Sequence, residues 1–138
     1  MDNTPTFTKL PFGERKNSEF NITGYQEERP WGRFTNLLDE DFCKVKIIEI
    51  KPGQQPSYQY HHKRSEVWTI VSGQGTVTLS GKTNEVSAGS VVIVPVGEPH
   101  RIKNTSETED LIFIEVQKGS YFGEDDIVRL EDDYDRSE

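Results

Sequence analysis

Short segments rich in valine and isoleucine, separated by turns that mostly contain glycine, fill the chain between residues 66 and 117. Such segments are typical of strands, because β-branched side chains favour an extended backbone. No stretch in this region has the 3.6-residue apolar period of a helix. Many short strands joined by tight turns indicate a sandwich or a barrel, so the sequence predicts an all-β domain. The predicted strands cover residues 34–38, 42–51, 66–71, 75–79, 84–87, 90–94, 100–103 and 111–117.

The chain has 138 residues, a length that suits one domain with its own core. We predict an irregular N-terminal arm over residues 1–26, a barrel over residues 27–120 and an acidic tail over residues 121–138. Part of the tail is expected to pack on the barrel. Most of its carboxylates are expected to be solvated.

Composition excludes several classes of partner. A formal net charge of −8 and a hydrophobic fraction of 32% argue against nucleic-acid binding and against a transmembrane span. Cys43 is the single cysteine, so no internal disulfide is expected. No targeting segment opens the chain, and the cytoplasm is therefore the expected compartment.

Four side chains in two stretches form a candidate metal site. Alternate side chains of a strand share a face, so Gln59 and His61 are predicted to point one way and His62 the other. A charged turn then lets the chain fold back and bring Glu66 toward the same interior. His100 opens a later predicted strand. Together Gln59, His61, Glu66 and His100 offer the nitrogen and oxygen ligands that Zn²⁺ accepts.

Two lysines share a strand face with apolar residues. In the predicted strand over residues 42–51, Lys44 and Lys46 fall on the same face as Ile48 and Ile50. If the isoleucines face the interior, one lysine reaches into the cavity. The alternative is that both lysines lie near the sheet edge and extend to water.

Two spaced motifs carry a resemblance to a known family. The first consists of Gly53, Gln59, His61, Glu66 and Gly73. The second consists of Gly89, Pro95, Gly97, His100 and Asn104. They resemble the two cupin motifs, which implies a cupin-type double-stranded β-helix, or jelly-roll barrel. Most cupins have histidine at the position of Gln59.

The set Gln-x-His with a later Glu and His resembles the zinc ligands of phosphomannose isomerases. Segments around it, such as residues 29–32, 61–66 and 119–129, resemble the type II branch. In that branch the isomerase domain is the C-terminal part of a bifunctional enzyme that also has a mannose-1-phosphate guanylyltransferase domain. This chain contains no nucleotide-binding α/β domain, so the resemblance implies the isomerase step alone.

The implied reaction interconverts mannose 6-phosphate and fructose 6-phosphate through an enediol. Four ligands with one negative charge leave a divalent ion net positive, which suits the developing negative oxygens. Both histidines bind a metal only when neutral. We therefore expect activity to fall below about pH 6.5.

Three cationic side chains are candidates for the substrate's phosphate, namely Arg64, Arg101 and Lys46, because phosphate is commonly bound by arginine and lysine. Arg101 and Lys46 are also assigned catalytic roles. Glu98, in the turn before His100, is the candidate general base. A lysine or a metal-bound hydroxide is the alternative base.

Two other functions stay open. A non-catalytic cupin that binds a sugar or a sugar nucleotide would keep the metal and show no turnover. An Fe(II) oxygenase would use His61, Glu66 and His100 as a two-histidine, one-carboxylate set, although Gln59 as a fourth ligand counts against it. We also expect a homodimer, formed through sheet edges and the aromatic residues of the N-terminal arm.

Overall fold

A computed structural model describes residues 20–134, and in that range every element of regular structure is a β-strand. The all-β prediction is confirmed. The strands are β1 (Gln26–Arg29), β2 (Gly32–Asp39), β3 (Lys44–Ile50), β4 (Tyr58–Tyr60), β5 (Arg64–Ser72), β6 (Gln74–Leu79), β7 (Lys82–Ser87), β8 (Val91–Val94), β9 (His100–Asn104), β10 (Leu111–Gly119) and β11 (Val128–Glu131).

The strands form two sheets in which all pairings are antiparallel. One sheet has the order β1-β2-β3-β10-β5-β8, and the other has the order β11-β4-β9-β6-β7. Period-2 alternation is clear in β3 and β10, whose residues are buried at every second position over most of their length. The buried side chains of both sheets, among them Ile50, Ile70, Ile102 and Leu111, form one hydrophobic cluster between them.

Eight of the observed strands overlap the eight predicted ones. Three short strands, β1, β4 and β11, complete the sheets. Strand β11 lies in the predicted acidic tail and pairs with β4, so this part of the tail is built into the second sheet. Of the predicted N-terminal arm, residues 1–19 lie outside the described range. Ile22 forms a bridge to Leu38 of β2.

The two sheets position the candidate ligands from opposite sides of the core. In the smaller sheet Gln59 of β4 is the register partner of His100 of β9. In the larger sheet Glu66 of β5 is paired with Gln117 of β10. Within the described range, no helix has the length and apolar character that crossing a membrane requires.

Candidate metal centre

A cavity of about 100 Å³ lies between the sheets, and its wall is unusually rich in charge. Apolar side chains such as Phe34, Trp68 and Phe113 form part of the wall. The polar and charged residues of the lining include Lys46, Gln59, His61, Arg64, Glu66, His100, Arg101, Glu115 and Glu124. The apolar part of the wall together with convergent polar groups is typical of a small-molecule site, and the number of charged groups favours a polar ligand.

His61, Glu66 and His100 converge inside this cavity. One candidate ligand atom from each residue lies within 4.8 Å of the other two, and all three side chains are buried. His61 Nε2 is 3.3 Å from Glu66 Oε2, and His100 Nε2 is 4.0 Å from Glu66 Oε1. Two imidazole nitrogens and a carboxylate at such separations form a donor set that divalent transition metals accept.

Backbone carbonyls orient both imidazoles. His61 Nδ1 donates to the Asp126 carbonyl oxygen at 2.6 Å, and His100 Nδ1 donates to the Glu98 carbonyl oxygen at 2.8 Å. Since Nδ1 carries the proton in each ring, Nε2 keeps its lone pair and faces the cavity. His100 Nε2 is buried and has no hydrogen-bond partner within the described chain. A buried acceptor left open in this way fits a metal ligand.

The Glu66 carboxylate is held by two donors. Trp68 Nε1 donates to Oε1 at 2.9 Å, and Arg64 Nε donates to Oε2 at 2.8 Å. Burial alone would raise the pKa of Glu66, but the Arg64 guanidinium and the other neighbouring donors lower it well below its usual range. The group is therefore an anion at neutral pH, which is the form that binds a cation.

Burial determines the protonation of His61. It lowers the pKa of His61 to about 4, and the nearby Glu66 carboxylate offsets only part of this effect. His61 is therefore neutral well below pH 6.5. The pH limit expected from ordinary histidine values does not apply to this ligand.

Asp126 fixes the loop that carries His61. Its carboxylate accepts the backbone N–H of His62 and that of Lys63, each at 2.9 Å. Burial raises the pKa of Asp126, but these two amides lower it more, so the net shift is downward. The expectation that the tail carboxylates are mostly solvated is wrong for this residue. Sequence reasoning missed its role because the contact joins segments more than 60 residues apart.

Glu115 is a buried carboxyl group of the cavity that sequence reasoning also missed. It follows Leu111 and Phe113 on the inward face of β10, and Gln117 Nε2 donates to its Oε1 at 2.7 Å. Burial and the negative charge of Glu66 raise the pKa of Glu115 to about 8. The signal in the sequence was the alternation of β10, which places Glu115 on the same face as the apolar Leu111 and Phe113.

Of the two interpretations of Lys44 and Lys46, the structure supports the interior one. Lys46 is buried and lines the cavity, and its Nζ donates to Glu124 Oε2. Lys44 is also buried, and its Nζ lies 3.9 Å from the same oxygen. Burial raises the pKa of Glu124, but Lys46 lowers it more, so the net shift is downward.

The two predicted arginines point to different places. Arg64 opens β5 and is buried against Glu66, rather than exposed in a turn. Arg101 links two segments: its Nε donates to the carbonyl oxygen of Pro56, before β4, at 3.1 Å, and its Nη2 donates to the carbonyl oxygen of Glu131, in β11, at 3.0 Å.

Of the remaining predicted residues, one lines the cavity and two lie outside its lining. Gln59 lines the cavity, and its Oε1 accepts the Ser57 hydroxyl at 2.9 Å. Glu98 is not among the lining residues, and its carboxylate accepts the hydroxyl of Ser80. His62 is exposed, as strand phase predicted.

Comparison with known sequences gives one family. The family model described as mannose-6-phosphate isomerase C-terminal matches residues 15–132. Xanthan biosynthesis protein XanB of Xanthomonas campestris is 43% identical over 109 residues, which are 79% of this chain and 23% of that protein. A mannose-1-phosphate guanylyltransferase of Salmonella montevideo is 38% identical over 122 residues, which are 88% of this chain and 26% of that protein. The chain thus spans about a quarter of the length of these relatives.

Solved structures confirm the predicted cupin architecture. The capsular polysaccharide assembling protein CapF of Staphylococcus aureus aligns with a TM-score of 0.66 and 26% identity, over 78% of this chain and 34% of that one. The cupin domain of Schizosaccharomyces pombe Cnp3 aligns with a TM-score of 0.59 and 21% identity, over 63% and 64%. The second likeness concerns the fold alone.

Replacing His100 tests the metal centre directly. We expect His100→Gln to lower zinc affinity at least 100-fold, because it removes a ligand, whereas His62→Gln keeps the affinity of the wild type. Zinc binding is measured by titration calorimetry and zinc content by elemental analysis after dialysis. Full zinc content in His100→Gln, with native circular dichroism, would show that the cluster does not hold the metal.

The raised pKa of Glu115 predicts how stability depends on pH in chelator-treated protein. Between pH 6.5 and 8 the folded state keeps a proton that the unfolded state has lost, so the free energy of unfolding should fall by about 2 kcal/mol as pH rises. The lowered pKa of His61 affects the free energy of unfolding only below pH 6.5, where it makes this free energy fall as pH falls. Urea unfolding at pH 6.5 and 8 measures the difference. Glu115→Gln should abolish it, and an unchanged slope in that variant contradicts the assignment.

Proposed function

The chain belongs to the mannose-6-phosphate isomerase C-terminal family, and from that premise we propose that it is an enzyme that interconverts mannose 6-phosphate and fructose 6-phosphate. The observation that carries the proposal is the convergence of two histidine Nε2 atoms and the Glu66 carboxylate in a cavity that also contains a lysine and a second buried carboxyl group. Guanylyltransferase activity is named for the full-length relatives, and we do not extend it to this chain.

The proposed cofactor is Zn²⁺, held by Gln59, His61, Glu66 and His100. A zinc ion in this position would act as a Lewis acid toward the oxygens of the substrate that become negative. The assignment of Gln59 as the fourth ligand is supported by its position, because it lines the cavity and lies directly opposite His100 in the strand register. Two imidazoles, an amide and one carboxylate leave a divalent ion net positive.

Glu115 is the proposed proton carrier between the two reacting carbons. Three carboxyl groups line the cavity. Glu66 belongs to the candidate ligand set, and Glu124 is paired with Lys46. Glu115 is the remaining carboxyl group, and its proposed role is to take and return the proton at its carboxyl oxygens. Glu98 is not a lining residue, and its carboxylate accepts a hydrogen bond from Ser80. A positioned carboxyl group contributes by general acid–base catalysis.

The candidate cations differ in their suitability for the phosphate. Lys46 lines the cavity and is paired with an exposed loop side chain. Arg64 neutralises Glu66, so its proposed role is to orient that ligand. Arg101 is bound to backbone carbonyls of two other segments, and its proposed role changes from catalysis to holding the C-terminal segment.

A homodimer in the cytoplasm completes the proposal. Strand β8 ends the larger sheet, and its Val91 and Ile93 are 60% and 65% exposed. An apolar edge strand without charged residues favours pairing with a second copy of the strand. Mass measurement in solution decides between monomer and dimer.

The proposed compartment, the cytoplasm, is supported by Cys43, which is a free thiol.

A coupled assay tests the reaction class. Purified, zinc-loaded protein should convert mannose 6-phosphate to fructose 6-phosphate, and chelation should abolish the activity, because the cofactor polarises the reacting oxygens. Folded, zinc-replete protein without turnover would favour a non-catalytic cupin that binds a sugar or a sugar nucleotide. Substrate consumption that requires oxygen and Fe(II) would favour the oxygenase, for which His61, Glu66 and His100 alone suffice.

The identity of the proton carrier is tested by a pair of amide variants. We expect Glu115→Gln to lower kcat 10²- to 10⁴-fold, a range typical of a lost general acid–base group, while zinc content is retained. Glu98→Gln changes a carboxylate outside the cavity lining and should lower kcat much less. The reverse result would return the role to Glu98.

A further inference from the structure

A buried lysine of the cavity is neutralised by a carboxylate from the loop that follows β10. Lys46 Nζ donates to Glu124 Oε2, and the side chain of Lys46 is 3% exposed. The same ammonium group lies 4.1 Å from the centre of the Phe34 ring, a distance that allows a cation–π interaction. Lys44 Nζ lies 3.9 Å from Glu124 Oε2. Lys44 Nζ also donates to the Phe122 carbonyl oxygen at 3.4 Å, so both lysines on this face of β3 contact the loop that carries Glu124.

The two sides of this ion pair are held differently. Lys44 and Lys46 belong to β3, which is paired with β2 on one side and β10 on the other. Glu124 lies between β10 and β11, outside any strand, and its side chain is 42% exposed. Loop segments open at a lower free-energy cost than central strands. The two lysines are thus fixed in the sheet, whereas Glu124 lies on a loop that can move away from the cavity.

We propose that Lys46, with Lys44 beside it on the same face of β3, forms the anion subsite of the cavity, and that the Glu124 carboxylate fills this subsite until a phosphoryl group of the ligand replaces it. The inference rests on the proposed function for the nature of the ligand, a sugar phosphate. A phosphate monoester carries more negative charge and one more acceptor oxygen than a carboxylate, so it can engage both ammonium groups. A buried lysine without a counter-ion is strongly unfavourable, which explains why Lys46 is paired with Glu124.

Two arginines of the cavity, Arg64 and Arg101, have partners that exchange less readily. Arg64 is bonded to Glu66, and both side chains are buried. Arg101 donates to the backbone carbonyls of Pro56 and Glu131, which are parts of the fold itself. Arg101 also lies 3.9 Å from the exposed Asp133 carboxylate, but its two backbone hydrogen bonds hold it independently of that ion pair. Lys46 Nζ, by contrast, is hydrogen-bonded to the Glu124 side chain.

Asp126 limits how far the loop has to move. Its carboxylate holds the amides of His62 and Lys63, and its carbonyl oxygen accepts from His61 Nδ1. Because this anchor follows Glu124 by two residues, opening is confined to residues 121–125. Exchange of Glu124 for a phosphoryl group therefore leaves His61 in place.

Binding of inorganic phosphate to the full chain, measured by titration calorimetry, tests the subsite. Glu124→Gln keeps the size of the side chain and removes the competing charge. We expect it to bind phosphate about tenfold more tightly, as when a closed state populated to about 90% is removed. Asp125→Asn is the matched control, because it removes one charge from the same loop, and it should bind as the wild type does. Adding Lys46→Met to Glu124→Gln should abolish binding at this subsite.

Three results would overturn the proposal. They are equal phosphate affinity in Glu124→Gln and the wild type, an equal gain in Asp125→Asn, and a gain that survives Lys46→Met. The last of these would place the anion elsewhere, for example on a bound metal. Melting temperature gives a second readout: Glu124→Gln should melt lower than the wild type without phosphate, and phosphate should raise its melting temperature by more degrees.

The isomerase assay separates this inference from the proposed function. Tighter phosphate binding by Glu124→Gln without turnover of mannose 6-phosphate would support the subsite and contradict the activity. Turnover with no effect of Glu124 on phosphate affinity would support the activity and contradict the subsite.

Discussion

The site depends on keeping one buried carboxylate charged. Glu66 is fully enclosed between the sheets, where an isolated anion would cost several kcal/mol. Arg64 offsets this cost with its charge, and Trp68 donates a hydrogen bond to the second oxygen. Both donors come from β5 itself, one two residues before Glu66 and one two residues after it, on the same face of the strand. The charge that attracts a cation is therefore built into a single strand, and the two histidines are brought to it by other parts of the fold.

Arg64 also contacts the first histidine of the centre. Its Nη2 lies 3.3 Å from His61 Nε2, close enough to donate to the lone pair that a metal would use. One lone pair serves one partner at a time, so metal binding and this hydrogen bond exclude each other. The guanidinium can release His61 while it keeps Glu66, because different nitrogens make the two contacts. Arg64 thus orients both Glu66 and His61, and a metal held at His61 Nε2 would replace one of its hydrogen bonds.

Strand period and turn chemistry predicted the parts of the fold that long, alternating segments build, and they also predicted His61, Glu66 and His100. Other features carry no local signal. Strand β11 is short and lies in an acidic sequence, and it exists because β4 offers it an edge. Arg64 follows Lys63 in a polar stretch that resembles a turn, yet it begins β5 because Gly119 pairs with it. Glu115 was visible in the phase of β10, but a carboxyl group at an inward position was not expected without a partner to stabilise it.

The contact between His61 and Asp126 has a consequence for how the protein is made. The two residues are 65 positions apart, and Asp126 follows the last long strand of the sheets. Strands β1 to β10 all precede Asp126 in the chain, so they are synthesised before the carbonyl that selects the tautomer of His61. Contacts of such high sequence separation form late, because the intervening loop has to be closed first. The carbonyl that orients His61 is therefore supplied late, and a chain that stops before Asp126 lacks the acceptor that selects the tautomer of this ring.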